Sequence, residues 1–438
     1  MPQVRPFRAI LYDPAHAGPI EELLAEPYDK VSPAMRRAYL ERNPHNVVRL
    51  SLPEPEAPGE DAYAAAAARW RAWLRQGLVR REERPALWWY EQRFAHGGRE
   101  YCRHGLFALV EAAPYGEGGV LPHERTYGVY KEERLRLLRA VRAHFGVVFL
   151  LYEDAQRLVP QVLERAAAAT APRMEFRTPD GIAHRLWAID DAEAIRTVCA
   201  HMAARTCVIA DGHHRYETAV AFRQQQEQRG EAQPGHRYRL CALVEVHDPG
   251  LLVLATHRVL PEVTLDELLA MLDPLFTEDT VLHQPQAEAL EAELQGLAEA
   301  GPGCYVLTDG RRAHRVVLRP EVDLDEVLAP LPAPLRRLDV TILHALALEP
   351  LLERRAAQGA TAEEAALRPW YTRTAAEALA RLDERYRVAV LLRPTPPRAV
   401  LQVARAGATM PQKSTDFYPK FPSGLLMNDV EAPLDALP

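Results

Sequence analysis

Blocks of apolar and polar positions along the chain predict a succession of short strands, hairpins and helices. FRAILYD, residues 7–13, reads as a first strand. DAYAAAAARWRAWLRQGLV is an alanine-rich helix with its aromatics on one side, and it ends near Gly77. ALWWYEQRF and YCRHGLFALVEA flank a Gly-Gly turn and predict an antiparallel hairpin. GVVFLLYED is apolar throughout, as a strand covered on both faces would be. EFRTPDGIAHRLWAI predicts a hairpin at Asp180-Gly181, and CYVLTDGRRAHRVVL another at Asp309-Gly310. YRLCALVEVHDPGLLVLATHRVL, with His247-Asp248-Pro249-Gly250 between two β-rich runs, is the clearest hairpin signal of all. No fixed-period repeat is present, and the mixture predicts an α+β or mixed α/β fold. The organisation changes near residue 265, giving an α/β domain over 1–265 and a C-terminal α+β lobe over 266–438.

Composition narrows the function classes. Hydrophobic residues are 48% and charged residues 26% of 438, the profile of a globular chain, and the net charge of −7 gives no broad basic field for nucleic acid. The arginine-rich KEERLRLLRAVRAH, with its interleaved glutamates, reads as a solvated amphipathic face. Five scattered cysteines without a C-x-x-C pair argue for a reducing compartment and against a thiolate zinc site. MPQVRPFRAILYD does not read as a signal peptide, and no uncharged apolar run approaches the roughly 18 residues of a membrane span. The expectation is a cytoplasmic protein with no membrane partner.

One stretch concentrates chemistry. CVIADGHHRYETAVAFR, Cys207 to Arg223, places a short buried strand, a turn at Asp211-Gly212 and the start of a helix in sequence. The first N–H groups of a helix lack internal partners and sit at the positive end of its dipole, which suits phosphate. Gly212 tolerates positive φ and lets a ligand approach the backbone. Arg215 is suited to forking two phosphate oxygens, with His213 and His214 as further donors or as acid and base. Two other readings stand beside this one: Asp211 as a helix cap with one histidine buried and hydrogen-bonded and Arg215 on the surface, and Asp211, His213 and His214 as metal ligands.

GATMPQKST, Gly407 to Thr415, imitates the P-loop pattern but has Gln412 where a glycine is required, and no helix pattern follows. The P-loop reading fails, leaving Lys413 in a segment suited to covering an anion or to tying down the tail. In HERT, Glu124 is a candidate base, and Arg125 or Lys131 a candidate phosphate ligand. Tyr28 and Asp29 of PYD, Asn46 of NPHN, and Arg49 have side chains suited to a small substrate, although Asn-Pro is a turn signal in its own right. His257-Arg258 and His344 complete the set, His344 as a core histidine in an apolar helix.

The turn Gly212-His213-His214-Arg215-Tyr216 resembles the nucleotide-binding turn of the ParB/sulfiredoxin superfamily. In that pattern a glycine and any residue precede His or Arg, then Arg and often an aromatic. Sulfiredoxins have Cys where His213 stands, so their thiol chemistry does not transfer. Free-serine kinases of this group use the turn with ADP or ATP, and ParB uses it with CTP. Across nearly the whole chain, EPYDKVSP, NPHNVVRL, HERTYGVYKEERLRLLRA, VIADGHHRYETA, THRVL, LDVTILHALALEPLL and MPQKSTDFYPKFPSGLLMN are similar, in order, to the family numbered 1015 in the domain-of-unknown-function series. The resemblance implies a ParB/sulfiredoxin-like core with large insertions, and a tail, 410–428, that folds back on the site. It implies a phosphotransfer enzyme, serine-kinase-like, that binds ATP or ADP with Mg²⁺ and acts on a small hydroxylated or phosphorylated metabolite. Glu124, Asp211 or His214 would be catalytic, and Asp211 the metal ligand. A phosphohydrolase and a non-catalytic nucleotide-binding regulator are the alternatives.

Overall fold

The two short glycine turns that the sequence marks, at Gly97-Gly98 and Asp180-Gly181, close hairpins of one nine-stranded mixed sheet in a mixed α/β fold. In chain order its strands are β1 (Val4–Arg5), β2 (Leu87–His96), β3 (Arg99–Glu111), β4 (Val120–Leu121), β5 (Val148–Tyr152), β6 (Met174–Arg177), β7 (Ala183–Ile189), β8 (Cys207–Asp211) and β9 (Tyr238–Glu245). The spatial order is β4-β8-β5-β9-β3-β2-β7-β6, with β1 also on β3. Only β4–β8 and β5–β9 pair in parallel. The computed structural model describes residues 2–124, 129–357 and 368–435. The chain divides into two units: Met1–Pro122, Thr126–Leu251 and Pro419–Pro438 form the first, and His123–Arg125 with Leu252–Tyr418 the second.

Gly97 and Gly98 both have positive φ, +55° and +73°, the backbone that a two-residue hairpin needs to match strand twist. β5 is buried at every position, flanked by β8 and β9, as its continuous apolar character predicts. Three helices cover one face of the sheet: α3 (Leu158–Ala168), α4 (Ala192–Met202) and α5 (His213–Arg229), preceded in the chain by α1 (Ala62–Gln76) and α2 (Val129–Val141). Leu163, Ile195, Val198, Met202, Tyr216 and Ala219 pack there against Leu106, Leu150, Ile209 and Cys241. α1 starts where Asp61 accepts hydrogen bonds from the Tyr63 and Ala64 amides and ends at Gly77 in the left-handed region.

One expectation is refined and one is corrected. α2 is amphipathic as read, with Glu132, Glu133 and Arg136 exposed, and its apolar face, Leu135, Leu137, Leu138 and Val141, is buried where the helix packs on α1 and α5. The segment after His247-Asp248-Pro249-Gly250 does not form a hairpin with β9, because both edges of β9 are already taken by β3 and β5. The turn is instead fixed to β3. Asp248 accepts from the Gly250 and His104 amides, and a Cβ on Gly250 would lie 2.3 Å from the backbone of Cys102 and Arg103.

The second unit has its own sheet of β10 (His257–Pro261), β11 (Phe276–His283), β12 (Cys304–Thr308), β13 (Arg312–Leu318), β14 (Trp370–Thr372) and β15 (Tyr386–Leu392). Its order is β11-β13-β12-β15-β10-β14, all antiparallel. Val259, Val306, Ala389 and Leu391 pack there with Leu290, Ala375 and Ala378 of its helices. Among the described residues no helix is long and apolar enough to cross a membrane.

Candidate functional site

Cys207 to Ala210 of β8 are buried, and the register against β5 shifts between Ile209 and Asp211. Such an irregularity re-aims a side chain at a strand end. Gly212 follows with φ +93° and caps α5 without any side-chain bond, so Asp211 is not the helix cap. The carboxylate is bound between two cations: Arg215 Nη2 donates to its Oδ2, and Lys420 Nζ lies 3.4 Å from its Oδ1. Arg215 Nη1 also donates to the Val147 carbonyl. A Cβ on Gly212 would lie 2.9 Å from Arg215 Nε and 3.0 Å from Cζ. The glycine is therefore needed twice, for its backbone angle and for the guanidinium folded over it. The space that a Cβ on Gly212 would need is taken by Arg215.

Electrostatics follow from this packing. Burial pushes the Asp211 carboxyl up, but Lys420, Arg215 and Lys30 together outweigh it and hold the group well below the usual carboxylate range. Burial alone would lower Arg215, yet Asp211 and then Asp29 and Tyr28 raise it, so the pair is ionised. Tyr28 and Asp29 thus lie within electrostatic reach of Arg215 and Asp211. Lys30, one residue further on, joins them.

Beside Arg215 opens a cleft lined by Tyr28, Arg134, His144, Arg239 and Ser423, with Leu137, Leu138 and Phe145 as apolar walls. Arg134 comes from α2 and lies over the Tyr28 ring, 4.3 Å from its centroid, while its Nη1 donates to the Ser51 carbonyl at 2.6 Å. Arg239, on β9, is 5% exposed and donates to the Gly146 carbonyl. Burial first, and then the Arg215 cation, push Arg239 down to about 9. His144 is buried, its Nδ1 is 3.4 Å from Asn428 Nδ2, and burial followed by the Arg239 charge holds it well below the usual imidazole range. Sequence reasoning passed over Lys30, Arg134, His144 and Arg239. One signal was present: a lone arginine inside the apolar run YRLCALVEV.

The other predicted residues are distributed as follows. His213 and His214 open α5, both partly buried, and the His214 carbonyl accepts from Thr218 Oγ1 at 2.6 Å. Tyr216 ties α5 inward, accepting from the Ala113 amide and donating to its carbonyl. Asn46 is fully buried; its Nδ2 donates to the Glu22 and Leu24 carbonyls, both at 2.7 Å, and its Oδ1 accepts from Val48 N at 2.9 Å. Every one of those contacts is structural. Arg49 pairs with Glu56 at 2.9 Å. Arg125 lies outside the described residues, as does the side chain of Lys131.

Glu124 and Lys413 belong to the second unit. There the Lys413 amide donates to Glu124 Oε1 at 3.5 Å, Thr415 Oγ1 is 3.0 Å from His123 Nε2, and Arg258 Nη2 reaches the Lys413 carbonyl at 3.4 Å. His123 and Glu124 are thus neighbours of the PQKST stretch, and Lys413 itself has φ +55°. No helix follows it; the chain continues into the short strand Asp416–Tyr418. His257 is buried, with Nδ1 accepting from the Leu392 amide at 3.2 Å. His344 begins a single π-helical turn, and burial followed by Arg258 lowers it to about 4.

The donors around Asp211 do not compose a metal cage, because both of its oxygens are engaged by cations. Among the described residues, ligand-type atoms gather instead at Glu91, Cys102 and His104. That group is an ion network. His104 stacks on Trp89 and bridges Glu91 at 3.5 Å and Asp248 at 3.4 Å, while Arg93 occupies Glu91 at 2.8 Å.

A family profile described as "Protein of unknown function (DUF1015)" matches residues 4–341. No curated protein matches the sequence. Among solved structures, the chain is similar to a mutant free serine kinase in complex with ADP, at 10% identity and TM-score 0.35, covering 71% of this chain and 87% of that one. It is similar to a conserved hypothetical protein from Pyrococcus furiosus, at 13% identity and TM-score 0.34, covering 75% and 96%. A C-terminally truncated SbnI from Staphylococcus aureus is a third, at 10% identity and TM-score 0.33, covering 72% and 84%.

Proposed function

The chain belongs to the family of unknown function numbered 1015, and from that footing we propose that it is a phosphotransfer enzyme whose Gly212–Arg215 turn binds nucleotide phosphate. One observation carries the reading. Arg215, Lys420 and Lys30 converge on Asp211 at the start of α5. Three cations face two carboxylates, Asp211 and Asp29, in a chain whose net charge is −7. Such a local excess of positive charge suits the oxygens of a transferring phosphoryl group, where catalysis is mostly positioning and charge stabilisation. The likeness of Gly212-His213-His214-Arg215-Tyr216 to a ParB/sulfiredoxin-type turn points to a nucleotide as the source of that phosphate.

In this reading Asp211 is a weak base, held ionised by its cations, and it positions Arg215 and Lys420. His214, in the first turn of α5, is the candidate proton acceptor from a small-molecule hydroxyl. The clustered cations supply the charge neutralisation that a divalent ion often provides; Mg²⁺, where present, would arrive with the nucleotide. The test is binding of ADP, ATP and CTP to wild type and Arg215→Ala, with phosphate transfer to hydroxy compounds followed by ³¹P NMR. Equal binding by both proteins overturns the phosphate grip. Binding that depends on Arg215 without any turnover makes the protein a nucleotide-binding regulator.

A further inference from the structure

The cleft beside Arg215 has a charge balance that its own residues leave open. Among the described residues three guanidiniums line it, Arg134, Arg215 and Arg239, and no carboxylate does. Arg215 is matched by Asp211. The other two have no ion pair within 4.0 Å among the described residues: Arg134 has a carbonyl and the Tyr28 ring, and Arg239 has the Gly146 carbonyl. The Nε of Arg239 is buried with no hydrogen-bond partner there. A guanidinium removed from water without a counter-charge is costly, and removing one partner of a buried pair is among the most destabilising single changes. Two guanidiniums that no carboxylate of the described residues contacts, Arg134 with Glu133 and Asp29 acting on it only from beyond 4.0 Å, are brought from α2 and β9 to one small cleft and are poorly explained by packing, for which a leucine or methionine would serve better. They are well explained by a missing anion, since a guanidinium fork matches the paired oxygens of carboxylate and phosphate.

We propose that this cleft is a second oxyanion subsite, held by Arg239 and Arg134, for a carboxylate or phosphate that the hydroxyl-bearing acceptor itself carries. The name acceptor rests on the phosphotransfer reading; the anion subsite does not. The apolar walls Leu137, Leu138 and Phe145 limit its occupant to a compact group and keep competing water low. Neutral His144 at the same wall offers one ring N–H as a further donor.

The full-length chain is titrated calorimetrically with orthophosphate, with glycerate and with neutral glycerol, each with and without saturating ADP. At least one oxyanion binds in the presence of ADP, glycerol does not, and whichever oxyanion binds identifies the group the acceptor carries. Arg239→Met weakens that binding roughly 100-fold, the loss expected for charge-assisted hydrogen bonds, and leaves ADP affinity within about threefold. Thermal unfolding without ligand shows Arg239→Met to be at least as stable as wild type. If that variant does not fold, Arg134→Met, at the less buried wall, carries the same test. Equal oxyanion binding by variant and wild type overturns the proposal, as does absence of oxyanion binding to wild type. Loss of ADP and oxyanion binding together in Arg239→Met also overturns it, because the cleft then belongs to the nucleotide grip. Oxyanion binding that needs Arg239 in a chain that binds no nucleotide sinks the phosphotransfer reading and leaves the subsite standing.

Discussion

Replacing Gly212 with alanine tests the turn at its most constrained atom. Two costs arise from separate causes. An L-residue at φ +93° pays for its Cβ in the left-handed region, about 1–2 kcal/mol. The new Cβ would also lie 2.9 Å from Arg215 Nε, 3.0 Å from Cζ and 3.1 Å from Nη2, so the guanidinium has to move. Arg215 is 11% exposed at its side chain and bonds both Asp211 and the Val147 carbonyl, so movement breaks a buried ion pair, a loss of about 3–5 kcal/mol. The sum, about 4–7 kcal/mol, approaches the whole stability of many domains. The assay is urea unfolding followed by tryptophan fluorescence for wild type, Gly212→Ala, Arg215→Ala and the double variant. If the guanidinium contact is the larger cost, the alanine penalty shrinks in the Arg215→Ala background to the backbone share of about 1–2 kcal/mol. An equal penalty in both backgrounds refutes the reasoning and leaves backbone strain alone.

Asp211→Asn leaves Arg215 and Lys420 without their shared counter-charge, and we expect destabilisation of about 3–5 kcal/mol with a partial recovery of melting temperature on adding phosphate. Failure of phosphate to restore any of it argues against an anion site there. His104 is raised to about 11, against the depressing effect of burial, by Asp248, Cys102 and Glu91. Its contribution is full below the unfolded value of about 6.5 and is lost as pH rises through about 11. The melting-temperature gap between wild type and His104→Gln therefore narrows from pH 6 to pH 10, and a widening gap rejects the ion network. Asn46→Ala removes three buried hydrogen bonds and costs about 2–4 kcal/mol, with ADP affinity unchanged; calorimetry showing a binding defect returns Asn46 to the substrate site.

What the sequence disclosed depended on whether the cause was local. The turns at Gly97-Gly98 and Asp309-Gly310 dictate their own backbone, and the hairpins around them form as read. The run Cys207–Ala210, Gly212 and the helix after it were legible for the same reason. The turn at His247–Gly250 is equally strong as a local signal, yet the strand after it pairs elsewhere, because occupancy of the two edges of β9 is decided by residues roughly 90 and 130 positions away. Lys420 reaches Asp211 across 209 positions, and no spacing rule extends that far. Arg134 of α2 was not singled out because periodicity identifies a polar stripe but not what covers one of its members; Arg134 proves to lie over Tyr28. Gly212 shows the sharpest limit. A glycine kept bare for an incoming phosphate and a glycine kept bare for the protein's own Arg215 have the same letter and the same φ. The two explanations separate only when Arg215 is removed: a purely structural glycine then takes a Cβ at the backbone cost of about 1–2 kcal/mol alone and with residual nucleotide affinity unchanged, whereas one facing nucleotide phosphate loses that residual affinity as well.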